Sequence, residues 1–165
     1  IVEPVSAALI APLNVSYLTP LTSTTAFGMP RRTGIGVEYN RLVLLIAMLE
    51  KKANIHLSNQ DVYVNVVGGM RLEEPSADLG IALAIVSSAQ NIPLPQDLIA
   101  IGEIGLTGEV RAVSSIEKRV KEAEKLGFKT CIIPEASRKQ LKYKGNINII
   151  SVSNVQEAIR TCGLK

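Results

Sequence analysis

Ser76 has the sequence setting that could most directly support catalysis. It follows Pro75 and two glutamates and precedes an almost wholly apolar segment, a pattern typical of the start of a buried helix. A serine on such a turn can act as a nucleophile if a desolvated lysine takes its proton and free backbone N–H groups stabilise the oxyanion. Serine is also common as a helix N-cap or first-turn residue, and we favour this structural interpretation.

Other groups of polar residues support chemistry less well. His56 is close in sequence to Ser58 and Asp61, but nothing brings a nucleophile to it in a strained turn, and we interpret it as a surface histidine. Glu73 and Glu74 could bind a metal, although acidic residues in a first helical turn are commonly stabilised by the helix dipole alone. The sequence contains no Cys-x-x-Cys pair and no Walker motif, so we expect neither a metal nor ATP in this chain.

The composition predicts one domain with an aliphatic core. The chain has 165 residues, of which 47% are hydrophobic and only 4% aromatic. So few aromatic residues argue against a base-stacking platform for single-stranded nucleic acid. Of the two cysteines, Cys131 and Cys162, the first lies in an apolar run and is expected to be buried. Unpaired thiols and the lack of a long apolar stretch predict a cytoplasmic protein.

Positive charge is concentrated in one part of the sequence. The formal net charge is only +3, but residues 111–144 contain ten Lys or Arg and four Glu, a local excess of six. Lys118, Lys121 and Lys125 follow a spacing that places them on one helix face. A solvated helix face is the simplest interpretation, and contact with DNA phosphates is the alternative. The candidate DNA-binding residues are Arg31, Arg32, Lys118, Arg119, Lys121 and Lys125.

Hydrophobic periodicity and turn residues predict strands and helices that intermix without strict alternation. Strands are predicted at 6–12, 14–18, 62–67, 99–104, 110–113, 130–133 and 147–152. Helices are predicted at 39–53, 77–89, 116–126, 136–141 and 155–162. Residues 19–33 are predicted to form a loop, within a loosely structured or strand-and-loop lead-in at 1–33. A hairpin is expected at Gly108, and the fold class is α+β, a mixed sheet with packed helices.

The order of several motifs is distinctive. A Gly-Gly pair at 68–69 leads to Glu-Pro-Ser-Ala and an apolar helix, then to Gly-Glu-Ile-Gly-Leu-Thr-Gly-Glu-Val at 102–110, a basic helix, and Gly-Phe-Lys-Thr-Cys-Ile-Ile-Pro at 127–134. This order resembles the proteolytic domain of the Lon protease family. The chain is still more similar to the Lon-like C-terminal domain of the bacterial RadA (Sms) family, through 36–42, 58–69 and 93–98, and the resemblance covers about residues 31–134.

The resemblance implies a single domain with the Lon proteolytic (ribosomal protein S5 domain 2-like) fold. It also implies a C-terminal fragment of a longer, ring-forming hexameric ATPase that promotes branch migration in homologous recombination. ATP, magnesium and zinc sites would then lie upstream, and recombinase and replication proteins would be partners of the whole protein.

The residues that match the family's catalytic site are degenerate. Ser76 matches the nucleophile, but alignment from Gly108 through Gly127 places the general-base lysine on Glu117. The neighbouring Lys118 is turned about 100° around the helix. Glu74 and Asp78 stand where family proteases favour glycine, and negative charge there disfavours an oxyanion. We therefore expect no peptidase activity.

Three functions are compared below. We favour a non-catalytic domain that supports ring assembly and binds single- or double-stranded DNA without regard to sequence. The alternatives are an active Ser-Lys peptidase and a scaffold that does not contact DNA.

Overall fold

The structure is a computed structural model that describes residues 7–11 and 14–165. The strands are β1 Ala7–Ala11, β2 Asn14–Thr24, β3 Arg32–Ile35, β4 Gln60–Val66, β5 Leu98–Ala100, β6 Glu103–Ile104, β7 Val110–Arg111, β8 Thr130–Pro134 and β9 Asn148–Val152. The helices are α1 Tyr39–Lys52, α2 Asp78–Gln90, α3 Ile116–Lys125, α4 Glu135–Arg138 and α5 Val155–Thr161. A single 3-10 turn, Pro75–Ala77, precedes α2.

Seven of the described strands form one mixed sheet in the order β3-β4-β2-β1-β5-β8-β9. The pairs β1–β2 and β2–β4 are antiparallel, whereas β3–β4, β1–β5, β5–β8 and β8–β9 are parallel. The strands β6 and β7 form a separate antiparallel hairpin. The predicted α+β class with a mixed sheet and packed helices is confirmed.

Two hydrophobic clusters fill the space between sheet and helices. The larger one contains the apolar side chains of α1, α2 and α5 with the inner residues of β2 and β4. The smaller one joins Ile99 of β5 and Cys131 of β8 to Ile116 and Val120 of α3. The helix α2 is buried along most of its length, as its continuous apolar sequence predicts. The β5–β8 region thus has helices on both faces, and α3 is held against one of them.

The predicted loop at 19–33 is wrong at both of its ends. The strand β2 continues to Thr24, and its backbone pairs with β4 from Leu18 opposite Val66 to Thr24 opposite Gln60. The short strand β3 begins at Arg32 and pairs in parallel with the other edge of β4. The threonines of this segment favour a strand, and long-range pairing with β4 overrides the turn-favouring Ser, Gly and Pro residues among them. The ends of the predicted strand at 6–12 lie outside the described residues.

The predicted strand at 99–104 is divided in two at Gly102. The backbone N–H of Gly102 donates a hydrogen bond to Ser76 O at 2.8 Å, and the Gly102 carbonyl accepts one from Leu79 N at 3.0 Å. A Cβ at Gly102 would lie 2.7 Å from Val110 Cγ1, so glycine permits this close approach. The chain therefore leaves the main sheet to bind the serine turn and then enters the hairpin, whose predicted turn at Gly108 is confirmed.

Candidate functional site

Ser76 lies in the 3-10 turn at the start of α2 and is 6% exposed. Its hydroxyl donates a hydrogen bond to Glu74 Oε2 at 2.9 Å. The residue caps neither the turn nor the helix, whose N-cap positions are Glu74 and Ala77. Serine therefore serves as a buried first-turn residue, and its hydroxyl faces other side chains.

Arg119 is the cation beside the serine. It lies on α3, is 5% exposed, and donates from Nη1 to Ser76 Oγ at 3.2 Å. Its Nη2 donates to Glu74 Oε2 at 2.9 Å and its Nε to Ser114 O at 2.9 Å. One guanidinium thus ties α3, the loop before it and the serine turn together.

This arrangement changes what the serine can do. A guanidinium donates hydrogen bonds but does not give up its proton in proteins, so it cannot serve as the general base of a Ser-Lys dyad. The carboxylate of Glu74 accepts a hydrogen bond from the same hydroxyl, and its negative charge beside the serine disfavours a nearby oxyanion. Ser76 and Arg119 thus form a serine–cation pair, but the cation cannot accept the serine proton as a lysine could.

Glu117, the residue that aligns with the general-base lysine, lies on α3 beside Lys121. Its carboxylate lies on the outer side of α3, with Oε1 2.6 Å from Lys121 Nζ. The Lys121 hydrogen bond, and next to it the positive charge of that ammonium, lower the pKa of Glu117. Two residues along a helix rotate the side chain by about 200°, so it is Arg119 that faces Ser76.

A sequence signal could have identified Arg119. It lies three residues after Ile116 and four before Ala123, both of which are buried. This spacing belongs to the buried stripe of an amphipathic helix. An arginine on that stripe must find buried hydrogen-bond acceptors. Arg119 therefore does not belong with the exposed lysines of α3 among the DNA-binding candidates.

The serine lies at a small cleft of about 190 Å³. The cleft is lined by Glu74, Pro75, Ser76, Glu103, Ala112, Val113, Ser114 and Arg119. Two carboxylates and one guanidinium are the charged groups of this lining. The cleft is therefore a poor site for an anionic ligand.

A second arginine fixes the other side of the serine turn. Arg41 of α1 forms an ion pair with Asp78 of α2 and donates to Leu72 O at 3.0 Å and Glu74 O at 2.7 Å. Burial raises the pKa of Asp78, while Arg41 and the Ile104 N–H oppose that shift. Asp78 thus anchors the turn to α1 and to the hairpin rather than facing the serine.

The three predicted DNA-binding lysines share the exposed face of α3. Lys118, Lys121 and Lys125 are all exposed. Lys121 pairs with Glu117, and Lys125 Nζ lies 3.7 Å from Glu122 Oε2. Exposed pairs of this kind contribute at most about 1 kcal/mol, so the ammonium groups can be redirected to phosphate at low cost.

The two predicted loop arginines have different environments. Arg31 has an exposed side chain, and its backbone N–H donates to Asp61 Oδ1 at 2.7 Å. Arg32 turns inward, with Nη2 2.8 Å from Leu57 O and Nη1 bonded to Gln60 O. Arg31 is therefore placed to meet a ligand, whereas Arg32 holds the neighbouring turn.

A further set of cations was not singled out from the sequence. Lys142 and Lys144 are exposed in the segment before β9, and between them Tyr143 is partly buried. The Lys142 backbone N–H and its charge contribute to the lowered pKa of Glu117. Asn146 N donates to Glu124 Oε1 at 2.7 Å. This segment thus follows the flank of α3 and extends its basic face.

Within the described part of the chain, no group of three or more His, Cys, Asp or Glu is placed to hold a metal ion. Cys131 is fully buried, as predicted, and burial raises the pKa of its thiol to about 12.

In the part of the chain that the structure describes, no helix is both long and apolar enough to cross a membrane.

Comparison of the sequence with known proteins places the chain in a family. Residues 23–137 match the family described as "ChlI: Subunit ChlI of Mg-chelatase", and the chain belongs to that family. Its relatives include proteins named DNA repair protein RadA. The protein from Halalkalibacterium halodurans is 53% identical over 86% of this chain, that of Bacillus subtilis 51% over 86%, and that of Escherichia coli 45% over 79%. The chain covers only 31%, 31% and 28% of these relatives.

Proposed function

We propose that this chain is a non-catalytic, Lon-like domain of a RadA-type DNA repair ATPase that binds DNA through its phosphates. The exposed basic face of α3 carries the proposal, with Lys118, Lys121 and Lys125 on the helix and Lys142 beside it. The names of the relatives supply the DNA repair role. Lysine side chains on one face are suited to sequence-independent phosphate contacts and provide no bidentate reading of base edges.

The arrangement around Ser76 supports a domain without chemistry of its own. Arg119 fills the place of a base and cannot accept the serine proton. The buried guanidinium of Arg119 and the buried hydroxyl of Ser76 form hydrogen bonds with each other and with the partly exposed carboxylate of Glu74, which is a structural use of these groups.

The longer protein would supply assembly and energy. The resemblance to the RadA family predicts a ring, most simply a hexamer, with ATP, magnesium and zinc bound by upstream domains. In a ring each modest basic face is repeated around the assembly, and phosphate contacts add together. Recombination and branch migration would be functions of that whole protein.

The test is DNA binding by charge variants. Replacing Lys118 and Lys121 by Ala should weaken binding to all DNA sequences about equally and reduce the salt dependence by roughly one unit per lost contact. The matched control removes the same charge from the end of α1, as Lys51→Ala with Lys52→Ala. Equal losses in both variants would show that binding has no preferred face, and unchanged binding in both would favour the scaffold function.

Peptidase activity is the second candidate, because a serine at a helix start lies beside a cation in a cleft. Unfolded substrates such as casein should show no cleavage above a Ser76→Ala control. Serine-dependent turnover would establish the peptidase instead.

A further inference from the structure

The loop between β2 and β3 presents two large apolar side chains to solvent. Phe27 is 95% exposed and Met29 is 88% exposed, the highest values among the exposed large hydrophobic residues of the described chain. Between them lies Gly28 with φ +77° and open space around its Cβ position. Neither side chain contributes to the core, so the packing of this domain does not explain why these two residues are apolar.

The base of this loop is firmly anchored. Asp61 Oδ1 accepts from Thr25 Oγ1 at 3.0 Å and from Arg31 N at 2.7 Å, which joins the two ends of the loop. Thr25 N donates to Asn59 O, and Val62 N donates to Arg31 O, each at 2.9 Å. Arg32 adds its bonds to the turn at Leu57 and Gln60. The apolar tip is therefore held out on a fixed stem.

The charge around the tip favours nucleic acid. The loop residues 25–32 contain two arginines and no acid, and the adjoining turn 54–60 contains no acid either. Asp61 directly follows that turn, and both its contacts and its lowered pKa, caused first by the Arg31 N–H, belong to the stem. Arg31 remains exposed beside the apolar tip.

We propose that the Phe27–Met29 tip is a wedge that stacks on an unpaired nucleobase while Arg31 contacts the adjacent phosphate. The proposal rests on the DNA-binding function proposed above. Apolar side chains that insert at base steps are commonly Phe, Leu, Ile, Met or Pro. One aromatic ring can hold one base and is not a platform for a long single strand. A branched or forked DNA would therefore be preferred over a continuous duplex.

The experiment compares Phe27→Ala with Leu106→Ala, which removes another exposed apolar side chain, 67% exposed, from the β6–β7 turn. Binding is measured to a forked DNA and to a blunt duplex, with 2-aminopurine at the first unpaired position of the fork. Phe27→Ala should weaken fork binding about tenfold, leave duplex binding within about twofold, and abolish the quenching of 2-aminopurine. Leu106→Ala should match the wild type in all three.

Arg31→Ala separates the charge from the wedge. It should weaken fork and duplex binding alike and reduce the salt slope by about one unit, whereas Phe27→Ala should leave that slope unchanged. Wild-type-like fork binding and quenching by Phe27→Ala would overturn the wedge. If the Phe27→Ala variant forms smaller assemblies in solution than the wild type, the tip contacts a second copy of the chain instead of DNA. If the wild type binds neither DNA, the DNA-binding function itself fails.

Discussion

Arg119 makes three structural contacts with a single buried side chain. It reaches Ser76 across 43 residues of sequence and simultaneously satisfies Glu74 and the Ser114 carbonyl. A lysine has one nitrogen and could not make these three contacts in a planar fork. Arg119 therefore holds the turn through contacts that a lysine could not make, and it cannot accept the serine proton.

Arg119→Ala should be strongly destabilising because it leaves Glu74 and Ser76 without their guanidinium partner. We expect the free energy of unfolding to fall by about 2–3 kcal/mol, measured by urea denaturation. Arg119→Lys should lose less, since charge is retained. The control is Lys118→Ala, one residue away and exposed, which should change stability by no more than about 0.5 kcal/mol. Equal stability of the two alanine variants would contradict the structural tie.

Arg31 and Arg32 offer a matched pair in which the same substitution has different effects. Arg32→Ala removes bonds to Leu57 O and Gln60 O and should lower the free energy of unfolding by about 1–3 kcal/mol. Arg31→Ala removes an exposed side chain and should leave it within about 0.5 kcal/mol. Thermal unfolding of both variants checks this, and a larger loss for Arg31→Ala would mean that its side chain supports the loop.

At the scale of elements, the strongly periodic helices were predictable and the ends of the sheet were not. The predicted 39–53 corresponds to α1 at Tyr39–Lys52, and 77–89 corresponds to α2 at Asp78–Gln90. The strand β3 was missed because its four residues include a glycine and derive their order from pairing with β4. The serine could be found from its turn, whereas its cation depended on which face of α3 is buried.

The β6–β7 hairpin carries a pH-dependent contact. The pKa of Glu109 is lowered to about 2 by hydrogen bonds to its carboxylate. The Thr107 side chain makes the largest contribution, followed by the Glu109 N–H and the Arg111 side chain. Gly105 leaves room for this carboxylate, since a Cβ there would lie 1.8 Å from Glu109 Oε1. Because the folded pKa lies below the unfolded value, the carboxylate stabilises the folded state above about pH 4.5. That contribution is lost as pH falls from about 4.5 towards 2.

Glu109→Gln should remove this part of the pH dependence. The difference in unfolding midpoint between wild type and Glu109→Gln should be largest near neutral pH and shrink as pH falls below about 4.5. Glu135, an exposed glutamate of α4, provides a control as Glu135→Gln. A difference that stays constant from pH 6 to pH 2.5 would show that the hairpin contact does not depend on ionisation.

At the scale of the whole molecule, the sheet order follows from long-range pairing that a single sequence does not reveal. The strand β1 pairs antiparallel with β2 and parallel with β5, and so joins the part of the sheet containing β2, β3 and β4 to the part containing β5, β8 and β9. Periodicity predicted the strands and the mixed sheet but not this order. The basic face of α3 is a consequence of the order, because packing on β5 and β8 turns one side of the helix outward.

Assembly should determine how tightly this face holds DNA. A single chain contacts few phosphates, so we expect a Kd of about 10⁻⁴ to 10⁻⁶ M, whereas a ring would bind more tightly because its contacts act together. The slope of log K against log salt is about 0.9 per phosphate contacted and should therefore steepen with the number of subunits. Mass in solution with and without DNA, combined with binding at several salt concentrations, checks this expectation. Replacing Lys118 and Lys121 by Ala should flatten the slope of the assembled form without changing its mass. If the chain is strictly monomeric at high concentration, with and without DNA, this domain does not form the ring by itself, and the proposed upstream ATPase would have to form it.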